Sequence, residues 1–140
     1  MRALIGSVTH YLNRVDPTPS VLLAATWSLI NGISFLLSGS LEHRKSMELV
    51  MALRLTPDQL AMVCFIDSSL LVMSVLPQVH LWAKSSIAVI SSLMWSVYGG
   101  LVCVAAYHYG IISTTGTWSI VCAISLKVAT AQWVFQNERH

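Results

Sequence analysis

The sequence predicts an all-α integral membrane protein, a bundle of four transmembrane helices, and three observations carry that prediction. The 140 residues are 55% hydrophobic and only 10% charged, against about 45–50% and about 25% in soluble globular domains. The charges are also unevenly spread. Residues 17–41 and 85–126 hold no Asp, Glu, Lys or Arg, and only Asp58 and Asp67 interrupt residues 55–83. Finally, the uncharged stretches match the membrane in length, since about 20 apolar residues at about 1.5 Å each cross a hydrocarbon core of about 30 Å.

Residues 1–16 form a short polar lead-in with Arg2, His10, Asn13, Arg14 and Asp16. It has no apolar region suited to a cleaved signal peptide, so the first span serves as an uncleaved anchor. Residues 17–140 form one domain, with spans at about 19–38, 58–80, 85–107 and 117–135. The first span opens at Thr18-Pro19, where Thr18 can cap and Pro19 loses nothing by lacking an N–H. Gly39-Ser40 stops it. In the polar connection 41–56, Met47, Val50 and Met51 recur at helical spacing beside Glu42, Arg44, Lys45, Glu48 and Arg54. That pattern suits a helix on the membrane surface or a solvated linker helix.

The second span begins with Thr56-Pro57-Asp58-Gln59, a capping box with proline at the first helical position and an acid facing the positive helix end. The segment 108–116 turns the chain between the third and fourth spans. Trp82, Tyr107, Tyr109, Trp118 and Trp133 fall near the expected interfaces, where amphipathic rings are favoured. Trp27 and Trp95 fall mid-span and face neighbouring helices or lipid tails. Short connections make spans two, three and four sequential antiparallel neighbours, whereas the longer leash of the first lets it pack elsewhere or between protomers. Both termini then share one side with Arg2, Arg14, Lys84 and Arg139, against Arg44, Lys45 and Arg54 opposite. The balance leans towards cytoplasmic termini in a bacterial inner membrane.

Asp67 and Lys127 are the two charges inside spans, each costing about 2.5–3.5 kcal/mol at a helix centre. Their depths, about 13 and 16 Å from Asp58 and Gly116, agree within one turn. They are expected to pair or share a polar pocket, as a clamp between helices or as part of a solute path, unless they snorkel and never meet. Asn31 and Gln132 are expected to hydrogen-bond across helix interfaces. Ala24, Ser28 and Gly32 in the first span, and Ala88, Ser92, Ser96 and Gly100 in the third, form four-residue stripes of small residues that let backbones approach. Both stripes contain Trp-Ser followed by Gly, from Trp27 and from Trp95.

The composition excludes several function classes. A net charge of +2 with no basic stripe gives no nucleic-acid surface. Cys64, Cys103 and Cys122 lack metal-ligand spacing and read as packing residues. His10, His43, His80, His108 and His140 supply no mid-span pair for haem, so no metal or cofactor is expected. No nucleophile–base set is evident, and the chain reads as a non-enzyme.

The layout resembles a loose class of small four-helix membrane proteins encoded by phages and prophages, some labelled holin-like. The resemblance rests on Trp27 with Gly32, Ser46 with Met51, Leu55-Thr56-Pro57, the turn at Ser113 to Gly116, and Trp133 near the end of the last span. It implies a phage or bacterial membrane setting and self-assembly or docking in a membrane complex, with the bilayer and a second copy or another membrane protein as partners. The alternative is a small channel or transporter with its polar site at Asp67 and Lys127.

Overall fold

The computed structural model describes residues 1–14, 16–38, 52–111 and 113–137. The described residues are helical and contain no strand: α1 (Arg2–Arg14), α2 (Thr18–Ser38), α3 (Pro57–Ser74), α4 (Leu81–His108) and α5 (Thr114–Asn137). The surface helix expected within 41–56, and with it Ser46 and Met51, lies largely outside the described residues.

Local chemistry sets the helix boundaries. The lead-in is a 13-residue helix, α1, whose Leu4, Ile5 and Val8 form an exposed apolar stripe with Met1 just before it. At the start of α2 the cap is Asp16 rather than Thr18. Its Oδ1 accepts from the Thr18 N–H at 3.0 Å and from the Thr18 hydroxyl at 2.8 Å. Those two bonds, first the backbone one, together with the nearby Lys84 charge, hold the Asp16 carboxyl below its ordinary range. The capping box of α3 forms as expected: Thr56 Oγ1 accepts from the Gln59 N–H at 3.2 Å, and Gln59 Oε1 from the Thr56 N–H at 3.0 Å. The helix ends at Ser74, earlier than the expected span, because Pro77 has no N–H to extend the ladder and its ring would clash with the carbonyl four residues back; the Val75 and Leu76 N–H groups tighten onto the Val72 and Met73 carbonyls instead. Accordingly α4 starts a turn early, at Leu81.

α4 ends in a Schellman motif. Gly110, at φ +70°, lets the Ile111 N–H reach the Ala106 carbonyl at 3.0 Å and its own N–H reach Tyr107 at 2.9 Å. Ser113 then caps α5 by accepting from the Gly116 N–H at 3.0 Å. The Ser-Thr-Thr-Gly turn is thus the first turn of the last helix.

α2 to α5 pack as a ring. α2 pairs closely with α3, α4 with α5, and α2 closes the ring against α5, while α3 and α4 touch least and α1 lies against α5. The sequential neighbours α3 and α4 are therefore the loosest pair, and the first long helix belongs to the bundle. α2 and α3 run antiparallel, with Ser68 on Ala25, Asp67 on Ser28 and Cys64 beside Gly32. α2 and α4 run parallel, with Ser28 meeting Trp95 and Phe35 meeting Tyr98 at 6.2 Å.

The polarity of the bundle is inverted relative to a soluble protein. The interior holds Ala, Ser and Gly with a few large side chains, whereas Leu23, Ile30, Met62, Ile66, Ile90, Val104 and Ile124 are exposed. An apolar exterior on every helix far exceeds the patches that monomeric soluble proteins show. α2, α4 and α5 are long and apolar enough to cross a membrane; α3, 18 residues long with Asp58, Gln59 and Asp67, does not join them on that measure.

Candidate functional site

The site is a buried polar cluster at mid-bundle. Asp67 on α3, Ser28 on α2 and Trp95 on α4 are all buried. The Ser28 hydroxyl donates to Asp67 Oδ2. The Trp95 indole N–H lies 3.1 Å from the same oxygen and 3.2 Å from Ser28 Oγ, so it is shared between them. Three helices thus converge on one carboxylate oxygen through neutral donors, an arrangement that satisfies polar groups water cannot reach.

Around this centre the rings interlock. Trp95 meets Trp27 at 6.5 Å and Tyr98 edge-on at 5.4 Å, filling the middle of the bundle with aromatic volume. The Trp27 N–H donates to Ser119 Oγ on α5 at 3.3 Å. The two Trp-Ser runs therefore play matching parts, each tryptophan donating to the second helix of the other hairpin. A second matched pair ties each hairpin together: Ser68 donates to the Ala25 carbonyl and Ser92 to the Ala123 carbonyl, both at 2.9 Å.

The Asp67–Lys127 pair does not form. Lys127 is exposed on α5, and α3 and α5 occupy opposite corners of the ring. Depth separates them as well: Ser92 meets Ala123 and Gly99 meets Gly116 across α4 and α5, which puts Lys127 about two turns from the level of Trp95 and Asp67. Cys122, Ala123, Leu126, Ala129 and Trp133 face inward, and at about 100° per residue Lys127 turns away from them. Asn31 is buried, yet its amide donates to the Trp27 carbonyl of its own helix at 2.9 Å instead of bridging helices. Gln132 is buried on the inner face of α5.

The first small-residue stripe holds: Ala24, Ser28 and Gly32 are buried, and a Cβ on Gly32 would come within 2.9 Å of Phe65. The second drifts. Ala88 and Ser92 are buried, but Ser96 and Gly100 are only partly so, and nothing lies within 4 Å of a Cβ on Gly100. Steps of four advance about 40° around a helix, so the contact line passes instead through Trp95, Gly99 and Val102. Gly99 and Gly116 make the close approach, a Cβ on Gly99 falling 2.9 Å from the Gly116 oxygen. Trp133, expected at the interface, is buried beneath Lys84, whose Nζ lies 5.8 Å from its ring.

The bond from Trp95 to Asp67 is the feature sequence reasoning missed. A mid-span indole N–H needs an acceptor, and Asp67 is the one carboxylate within the apolar stretches, so the signal was present. Among the described residues, no three His, Cys, Asp or Glu side chains gather as metal ligands.

The fold and site together define a helical protein whose three most apolar helices suit a membrane. Comparison with known proteins returns no match to a family model, a curated protein or a solved structure.

Proposed function

We propose that this chain is a four-span, non-enzymatic membrane protein that works by docking in a membrane complex through the outer face of α5. The fourth crossing is supported by direction. α2 and α4 run parallel, so a chain that crosses in both must return between them, and α3 lies antiparallel along α2. Its 18 residues rise about 27 Å, close to a thin bilayer. Four crossings put both termini on one side, with the apolar stripe of α1 lying in the interface. A cytoplasmic side in a bacterial inner membrane fits the distribution of Lys and Arg.

One observation carries the docking role: Lys127 is exposed midway along α5, beside the exposed Ile124 and Val128. Ten residues separate it from Asn137 and thirteen from Thr114, about 15 and 20 Å of helix. A charge in that position costs about 2.5–3.5 kcal/mol in lipid unless a partner meets it. Among the described residues, Asp16 and Asp58 lie at helix starts and Asp67 is buried, so none of these three would present an accessible mid-bilayer carboxylate to Lys127 of a second copy. The proposed partner is another membrane protein with an acidic residue facing Lys127.

The test is the size of the complex extracted in a mild detergent. The wild type should migrate in a larger assembly and Lys127→Met as a smaller species that keeps its helicity. Equal sizes for the two proteins would refute docking through Lys127. Dye-filled liposomes separate the other readings. Abrupt leakage supports holin-like self-assembly, which the phage resemblance implies. Selective flux lost in Asp67→Asn supports transport, the reading favoured by a buried carboxylate whose donors, Ser28 and Trp95, are neutral.

A further inference from the structure

The four-helix ring has one open seam. Between α3 and α4, its loosest neighbours, lies a half-open cavity of about 370 Å³. Val63 on α3 and Leu93, Val97 and Leu101 on α4 form its walls, Trp95 lines its inner side, and Leu53 and Leu55 of the turn before α3 line it as well. The α4 wall repeats every four residues and consists of large aliphatic groups. Close helix packing in membranes uses small residues, so this wall suits a flexible hydrocarbon chain better than another helix.

A second observation gives the occupant its polar end. Arg54 sits between the two lining leucines, is exposed, and has φ +58°, a region few residues other than glycine adopt. Its two neighbours line the cavity, whereas Arg54 is exposed and does not. It lies two residues before the Thr56 cap, at the end of the bundle where headgroups would lie. Arginine matches phosphate oxygens in a bidentate fork.

We propose that the α3–α4 seam binds one acyl chain of an anionic phospholipid, with the lipid phosphate on Arg54. The inference rests on the membrane reading above. One cationic side chain near a bilayer surface should favour an anionic over a zwitterionic lipid by about fivefold.

The experiment is native mass spectrometry of the full chain released from nanodiscs holding equal amounts of phosphatidylglycerol and phosphatidylcholine with identical acyl chains. The wild type should retain one phosphatidylglycerol per chain at about fivefold preference. Arg54→Gln should still retain lipid but with the preference near one. Val97→Trp, at a 60% exposed position, should fill the seam and lose both lipids with an unchanged circular dichroism melt. Leu93→Trp, at a position 56% exposed, provides the same block should Val97→Trp misfold. Retention of both lipids equally by the wild type, or unchanged retention in the filled variants, overturns the proposal. A dimer that disappears in Val97→Trp would assign the seam to a second copy and overturns it too. A chain that stays soluble without detergent after a carbonate wash defeats the membrane reading itself, whereas a detergent-requiring chain with an empty seam defeats only the lipid site.

Discussion

Replacing Asp67 by alanine tests the buried cluster most directly, because it removes one acceptor shared by two donors from different helices. The loss should be moderate. The Trp95 N–H keeps Ser28 Oγ at 3.2 Å, and the freed Ser28 hydroxyl can turn to a carbonyl one turn back on its own helix. Interhelical hydrogen bonds inside membranes average about 0.6 kcal/mol and reach about 1.7, so two of them give a cost of about 1–3 kcal/mol for Asp67→Ala. A double-mutant cycle isolates the bond from the void left by a smaller ring. Asp67→Ala with Trp95→Phe should show a coupling of about 0.6–1.7 kcal/mol, read by far-ultraviolet circular dichroism as sodium dodecyl sulfate unfolds the protein in mixed micelles. Asp67→Ala with Lys127→Met should be additive within about 0.5 kcal/mol, as expected of sites with no shared partner. Coupling to Lys127 together with additivity at Trp95 would refute the arrangement.

Two further predictions concern helix contact and helix start. Gly99→Ala should destabilise the same unfolding transition by about 1–3 kcal/mol, because its Cβ would meet the Gly116 backbone oxygen at 2.9 Å. Gly100→Ala, one residue on and with open space around it, should stabilise by up to about 1 kcal/mol through helix propensity. Asp16 has its folded pKa depressed below the ordinary 3.8, so the stability it contributes is present above that value and fades as pH falls through the folded pKa. The stability difference between the wild type and Asp16→Asn should therefore narrow below about pH 3.8 and stay constant between pH 5 and 7.

The sequence displayed whatever depended on composition and local caps. The apolar stretches around Ile30, Ile90 and Ile124 announce helices with an apolar exterior, and the residue types at Thr56 and Gln59 announce the start of α3. The missing information was rotational. Counting residues from each helix start gave Asp67 and Lys127 similar depths but not the register between helices, and a single step of about 100° from the inward Leu126 puts Lys127 outside. The same arithmetic misled the reading of Ser96 and Gly100, since a four-residue stripe winds off the contact line that Trp95 and Gly99 follow. Side-chain competition was also hidden: Asn31 looked free to bridge helices, but its own Trp27 carbonyl lies one turn away. The α3–α4 seam depends on how far two helices separate, a quantity no single-helix pattern encodes.

The donors to Asp67 stand on either side of it in the chain, Ser28 earlier and Trp95 later. During synthesis, α3 therefore leaves the ribosome when one donor has already been made and the other has not. In the proposed topology this gives biogenesis an order. The first hairpin enters the bilayer with its acidic group half satisfied, and the next helix, on arriving, completes the bonding and locks the pair in place.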